Sequence, residues 1–374
     1  MPDTFCGRGG IALYTHDVLT AVCAMPQCEG VVVVPRLSTG NHTDLPPKLS
    51  YRMAAVSGKL AFVKEALRAA REQPFDVLLC GHINFVPIAW LLRRWTAGPL
   101  VLLIYGIDAW TPSRSALSNF LTRRVKHVVS ISEITRRRFL EWSGAAPEGV
   151  AVVPNAIHPG RYGPGPKSDL LLDRYGLRDR RVLMTIGRME AHEGYKGFDE
   201  ILEVLPGLAK EVPDISYLVI GEGSDRARLE QKAAALGLSD RVVFAGFVPE
   251  AEKADHLRLA DVFAMPSRGE GFGFVFLEAM ACGVPVIASR TDGGREALRD
   301  GLLGRMVDPA SPKEIGDAIL SALGDSRGAV PEGLSYFAYP EFERRVQEYL
   351  GRICGESRAT PSAVRARAHP GGTR

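Results

Sequence analysis

Two glutamates eight positions apart, Glu270 and Glu278, frame the stretch whose residue types point most directly to chemistry, PSRGEGFGFVFLEAMACGVPVIAS at 266–289. An apolar run at 262–265 leads into a glycine-rich turn, then a helix expected over about 273–281, then another apolar run. The first N–H groups of such a helix have no intrahelical partners, and with the helix dipole they form an anion site. Gly271 and Gly273 let the main chain come close to a phosphate and take positive φ, and Phe272, Phe274 and Val275 are placed to keep water out. Carboxylates facing the phosphate itself would be repelled. They fit as acceptors for neutral hydroxyls, Glu270 for those of a sugar and Glu278 for those of a ribose. The plainer reading is one carboxylate at a helix start and one on a helix face.

A second group, Gly187-Arg188 and Tyr195-Lys196-Gly197, follows the apolar run at 181–186. Arg188 and Lys196 then stand where the carboxyl end of a strand opens into the crevice of a doubly wound sheet. A guanidinium and an ammonium there can neutralise a diphosphate; two surface cations are the alternative. Gly221-Glu222-Gly223 follows the run at 216–220, a turn common to many α/β proteins. Phe247 and Val248, after the run at 242–245, can lay main-chain groups against a base edge. No Asp-x-Asp string occurs, so the expected site uses cations and a helix end in place of a metal.

The elements that must position these residues alternate between strand and helix, the pattern of parallel sheets covered by helices on both faces. First-half strands are expected at 31–35, 77–80, 100–105, 127–130 and 150–153, with amphipathic stretches at 54–72 and 133–142. The second half repeats the scheme at 181–186, 216–220, 242–245, 262–265, 284–288 and 304–307. These runs are apolar without alternation, as strands buried on both faces should be. The Pro- and Gly-rich stretch at 156–169 reads as a linker. The expected division is a first domain over 1–157, a second over 158–338, a helix over 339–354 that can pack back on the first domain, and a disordered tail over 355–374. One expectation is unusual. Gly7-Arg8-Gly9-Gly10 should follow a buried strand, yet only six residues precede it, so the first strand is missing or truncated, and a start placed too late accounts for this better than a sheet without that strand.

Taken together, these residues resemble the family 4 retaining glycosyltransferases, whose fold, GT-B, consists of two Rossmann-like α/β domains facing a central cleft. The E-x7-E element corresponds to Glu270 and Glu278, the phosphate-binding Arg and Lys to Arg188 and Lys196, and the interdomain V-P-N-G to Val153-Pro154-Asn155-Ala156. Gly9 and Gly10 resemble the first-domain loop over the donor phosphates. The family's His-Gly after an acceptor-domain strand is replaced by Tyr105-Gly106, with Asp108 close behind, and His82 is the acceptor-side histidine available instead. The resemblance implies a hexosyltransferase that retains configuration and needs neither metal nor cofactor. Its donor would be a UDP- or GDP-sugar, and its acceptor a saccharide or a polyprenyl-diphosphate-linked saccharide in surface polysaccharide synthesis. The donor site would use Gly9, Gly10, Arg188, Lys196, Gly221, Phe247, Val248, Glu270, Gly271, Phe272, Gly273, Phe274, Val275 and Glu278, with Glu270, Arg188 and Lys196 acting in the reaction.

Length and composition agree with two soluble domains: 374 residues, 46% hydrophobic and 24% charged. Residues 1–160 carry 17 Lys/Arg against 11 Asp/Glu, the rest 29 against 32. The basic first half suits an anionic membrane surface or a phosphate-bearing acceptor, or is an ordinary solvated surface; nucleic acid is not expected as a partner. Six scattered cysteines without C-x-x-C spacing read as reduced thiols. With no signal-like N-terminus and no run long enough to span a bilayer, the expected location is cytoplasmic, or peripheral on the inner membrane face. Two other classes stay open: a nucleotide-sugar epimerase of the same fold, and a non-catalytic nucleotide-sugar-binding protein.

Overall fold

The apolar runs become short parallel strands in the computed structural model, which describes residues 1–2, 4–5, 9–38, 45–158 and 160–359. Cys6, Gly7, Arg8 and the tail from residue 360 lie outside the described residues. The chain divides into one unit of Met1–Asn155 with Pro340–Arg374 and another of Ala156–Tyr339.

In the first unit, β1 (Val31–Val33) pairs, among the described strands, with β2 (Leu49–Tyr51), while β3 (Leu78–Cys80), β4 (Leu100–Ile104), β5 (His127–Ser130) and β6 (Val150–Val152) form a second sheet in that order. β4 is buried along its whole length, since neighbours on both edges and helices on its faces leave it no contact with water. Its core gathers Ile83, Val86, Leu102 and Phe139. The helix Tyr339–Ala359 belongs to this unit: Phe342 packs on Tyr14, and Gln347 donates to Ala21 O at 3.1 Å.

In the second unit the strands are β7 (Arg181–Ile186), β8 (Ile215–Ile220), β9 (Val242–Gly246), β10 (Val262–Met265), β11 (Val286–Ser289) and β12 (Arg305–Val307). Their order is β12-β11-β10-β7-β8-β9, so the first strand, β7, lies in the middle. The chain winds one way through β8 and β9 and the other way from β10 onward. The carboxyl ends of β7 and β10 therefore meet at the switch point, where a doubly wound sheet opens a crevice. A buried relay crosses the sheet there: Tyr217 OH donates to Thr185 Oγ1 at 2.8 Å, and Thr185 donates to Ala264 O at 2.6 Å. Each polar group is satisfied without interrupting the apolar packing.

Several boundaries differ from the sequence expectation for identifiable reasons. The strand expected at 284–288 starts at Val286, because the Val284 N–H closes the preceding helix onto Ala279 O at 3.1 Å. The stretch at 54–72 is broken by Gly58 into a 3-10 turn, Met53–Ser57, and the helix Lys59–Glu72. The last helix runs to Ala359 and not to 354, so the tail cannot begin at 355. The linker stretch ends inside structure: Ile157 bridges Ala338, and Asp169 opens the helix Asp169–Tyr175. β2 had no strand signal, being three residues of mixed character. As for the first strand, Met1 lies beside the continuation of β1, its amino group donating to Val34 O at 2.9 Å.

Candidate functional site

Two loops at the switch point build the site in the second unit. The loop after β7 carries Arg188 and Lys196, and the loop after β10 carries Glu270 and runs into the helix Phe274–Ala281. Because β7 and β10 are hydrogen-bonded neighbours, both loops leave the sheet at the same edge. They are tied together where the Arg268 N–H donates to Tyr195 O at 2.8 Å. Gly221 is required by close approach on the other side. A Cβ there would stand 1.9 Å from Gly187 O, and its φ is +138°.

The Lys196 ammonium meets a Glu270 carboxylate oxygen at 2.6 Å, with both side chains about five-sixths buried (15% and 16% exposed). Burial works against the lysine charge, but the facing carboxylate outweighs it and holds the Lys196 pKa above its ordinary value. The other Glu270 oxygen accepts the Gly271 N–H at 3.2 Å. One carboxylate thus occupies both a cation and a loop N–H, the two kinds of donor that an anionic ligand would require. Arg188 pairs with the buried Glu193 yet keeps 70% of its side chain exposed, so its guanidinium is accessible to an incoming anion.

Asp292 fixes the Glu270 loop. It accepts from Ser267 Oγ at 2.6 Å, the Glu270 N–H at 2.8 Å and the Gly294 N–H at 3.0 Å, while the Gly293 N–H donates to Glu270 O at 2.8 Å. Burial raises the Asp292 pKa to about 6 against these hydrogen bonds, which favour the carboxylate. A Cβ on Gly293 would lie 2.2 Å from Gly271 O, which is why a glycine stands there.

Glu278 belongs to a different cluster. It is buried on the helix, 2.9 Å from Lys253 Nζ and 3.0 Å from Tyr162 OH, and Tyr162 also donates to Glu250 at 2.6 Å. Lys253 in turn reaches Glu250 at 2.7 Å. Burial pushes the Glu278 pKa up, opposed by the lysine beside it. Val248 is buried and Phe247 exposed in the loop that leads into this cluster. Phe272 packs inward on Phe337, with ring centroids 5.4 Å apart, so its ring belongs to the core; Phe274 and Val275 are half-buried.

The remaining predicted residues lie in the first unit. Gly9 caps the helix Gly10–Ala24 with φ +94°. The Tyr105 hydroxyl is buried 3.2 Å from Thr15 Oγ1, and burial raises its pKa. His82 accepts the Asn84 N–H at 3.0 Å, and burial lowers its pKa. Asp108, in the helix Ile107–Trp110, is pushed up to about 7 by burial. Sequence reasoning missed Asp292, Tyr162, Lys253, Glu250 and Glu193. The Thr291-Asp292-Gly293-Gly294 turn after an apolar run was a readable signal for the first. Tyr162 stood in a Pro- and Gly-rich stretch 116 positions from its carboxylate partner, with no local pattern to show it. Among the described residues no cluster of three or more His, Cys, Asp or Glu could hold a metal, and no helix is long and apolar enough to cross a membrane.

Residues 173–339 match the family described as glycosyl transferases group 1, and residues 8–161 match glycosyltransferase family 4. Among curated relatives, a GDP-mannose-dependent alpha-(1-6)-phosphatidylinositol monomannoside mannosyltransferase of Mycolicibacterium smegmatis is 36% identical over 66% of this chain and 66% of its own length. A phosphatidyl-myo-inositol mannosyltransferase of Mycobacterium leprae is 30% identical over 67% of this chain and 64% of its own. The matches thus span just under two thirds of these relatives. Among solved structures, Anabaena HepE in complex with UDP and glucose superposes with TM-score 0.76 at 20% identity, covering 94% of this chain and 98% of that one. This likeness establishes the fold as GT-B.

Asp292 yields a signed pH prediction. Its acid form is favoured in the folded state, so between about pH 4 and 6 the folded chain holds a proton that the unfolded chain has released. Stability from this group is present below pH 4 and lost as pH rises through 6, an effect of about 3 kcal/mol. Asp292→Asn should remove that component, read as the difference between the two chains' stability curves across this range. Parallel curves would contradict the assignment.

Proposed function

The chain belongs to the group 1, family 4 glycosyltransferases, and from that premise we propose that it transfers mannose from GDP-mannose to a phosphoinositol-type glycolipid, retaining configuration and using no metal. The observation that carries this reading is the buried Lys196–Glu270 pair at the joined ends of β7 and β10. The curated relatives supply the donor and acceptor class.

When the bond from the sugar's anomeric carbon to the diphosphate lengthens, positive charge grows on the sugar and negative charge on the leaving group. Lys196 and Arg188, with the N–H groups before the helix Phe274–Ala281, take up the negative charge. Glu270, released from Lys196 as the phosphate arrives, accepts hydrogen bonds from sugar hydroxyls. Glu278, held by Lys253 and Tyr162, accepts from the ribose. The acceptor hydroxyl adds to the anomeric carbon on the face that the diphosphate leaves, and its proton passes to the departing phosphate oxygen, yielding GDP and the mannosylated lipid. No side-chain base is needed in this scheme.

Incubation of the purified chain with GDP-mannose or UDP-glucose and a phosphatidylinositol monomannoside tests it. Transfer from GDP-mannose that survives saturating EDTA is expected, with an α-linked product. Lys196→Ala and Glu270→Ala should each lower kcat about 100-fold or more. Loss of turnover in EDTA would overturn metal independence, and an inverted linkage would overturn retention.

A lipid acceptor calls for a membrane surface, and we place it on the first unit's helices Val86–Leu92 and Ala116–Thr122. Leu117 and Phe120 are 57% and 53% exposed, and the Arg124 and Arg93 guanidinium groups lie 3.7 Å over Phe120 and 4.7 Å over Trp90. Basic groups beside exposed apolar side chains suit an anionic interface. The chain should sediment with vesicles containing phosphatidylinositol and be released by salt, with Phe120→Ser weakening the association. Equal sedimentation with purely zwitterionic vesicles would contradict this placement.

A further inference from the structure

Two carboxylates, one ammonium and one phenol meet in the second unit, on and beside the helix that begins at the Glu270 loop. Glu250 and Lys253 stand three positions apart, where the 3-10 turn Glu250–Glu252 runs into the helix Lys253–Leu257, so they share a face. Glu278 lies buried on the helix Phe274–Ala281. Tyr162 comes to them from the Pro- and Gly-rich stretch at 156–169, which Arg258 fastens to the end of the Lys253 helix. The Arg258 Nε donates to Gly163 O at 2.9 Å, and a Cβ on Gly165 would stand 3.0 Å from the same side chain.

The hydrogen bonds of this cluster are lopsided. Lys253 Nζ and the Tyr162 hydroxyl both meet Oε1 of Glu278, at 2.9 and 3.0 Å. Among the described residues none donates to Oε2, and that oxygen is not sealed from solvent. A buried carboxylate that served only the fold would gain by having both oxygens satisfied. The two donors are held in turn by Glu250, which takes the Lys253 ammonium on one oxygen at 2.7 Å and the Tyr162 hydroxyl on the other at 2.6 Å. The Glu250 side chain is 50% exposed, so its charge is cheap there, whereas that of Glu278 is 4% exposed. Burial favours the acid form of Glu278, and both the Lys253 charge and the Tyr162 hydrogen bond favour the carboxylate. With two carboxylates against one ammonium the cluster is unsuited to a phosphate. A neutral hydroxyl group fits it.

We propose that Tyr162 and Lys253 are positioning residues for ribose recognition: by filling Oε1 of Glu278 they leave Oε2 as the acceptor for a ribose hydroxyl of the nucleotide. This rests on the reading above, under which Glu278 accepts from the ribose. Glu250 acts at one remove, by holding both donors on the same oxygen. Tyr162 and Lys253 touch no reacting atom, so their effect is on the discrimination between a ribose and a sugar without its hydroxyls.

Calorimetric titration of GDP and of 2′,3′-dideoxy-GDP into the full chain tests this, since the two ligands differ only in the ribose hydroxyls. The unmodified chain should bind GDP about tenfold or more tighter, and Glu278→Gln should remove most of that preference. Equal affinity for both ligands in the unmodified chain, or a preference untouched by Glu278→Gln, would overturn the ribose reading and this proposal with it. Tyr162→Phe keeps the ring and removes only the hydroxyl. It should cut the preference at least about threefold and leave the dideoxy-GDP affinity unchanged, and Lys253→Met should do the same more strongly. A residue that merely held the fold would weaken both ligands together. An intact preference in either variant, or an equal loss for both ligands in Tyr162→Phe, would overturn the positioning role while leaving the ribose at Glu278.

Discussion

A lysine and a glutamate taken together out of water govern the arrangement of the second unit's switch point. Lys196 and Glu270 meet with both side chains about five-sixths buried, and removing one would leave the other's charge there without its partner. The pair exists only because β7 and β10 are neighbours and because their loops are stitched by Arg268 and Tyr195. Asp292 then fixes the main chain on which Glu270 stands. Such a pair is a poor source of net stability, since desolvation offsets much of its attraction. Under the proposed function its value is readiness: an anion entering the loop would replace one carboxylate as the partner of an ammonium and an N–H that already meet it. Binding then needs little new ordering of the protein.

Much of this was legible in the sequence because the determining signals are local. β5, β7 and β10 have the bounds of their apolar runs, and the positions of Lys196 and Glu270 after β7 and β10 follow from the rule that loops at a switch point converge. What was not legible depends on distant partners. Tyr162 is a residue of a Pro- and Gly-rich stretch until the fold brings Glu278 and Glu250 to it. Phe272 sits among glycines as though facing a ligand, yet Phe337 draws its ring into the core. Arg188 shares its loop with Lys196 but pairs with Glu193, a short-range partner whose burial no periodicity announced.

The two units order their strands differently. In the second, the first strand occupies the centre and every strand of the central four has two neighbours. In the first, the described residues form two separate sheets, β1 with β2 and β3 to β6. β1 and β2 pair with each other, and the Met1 amino group donates to Val34 O beyond the end of β1. Stability of this unit and readiness of the site in the other are separate properties, and each can be measured without the other.

The central claim, that Lys196 is a phosphate-binding cation held in place by Glu270 until the donor arrives, is tested most directly by calorimetric titration of GDP into the unmodified chain, Lys196→Met and Glu270→Gln. GDP carries the diphosphate but no sugar, so the account predicts that Lys196→Met weakens binding about tenfold or more, whereas Glu270→Gln leaves it equal or tighter. Unchanged GDP affinity in Lys196→Met, or an equal loss in both variants, would contradict it.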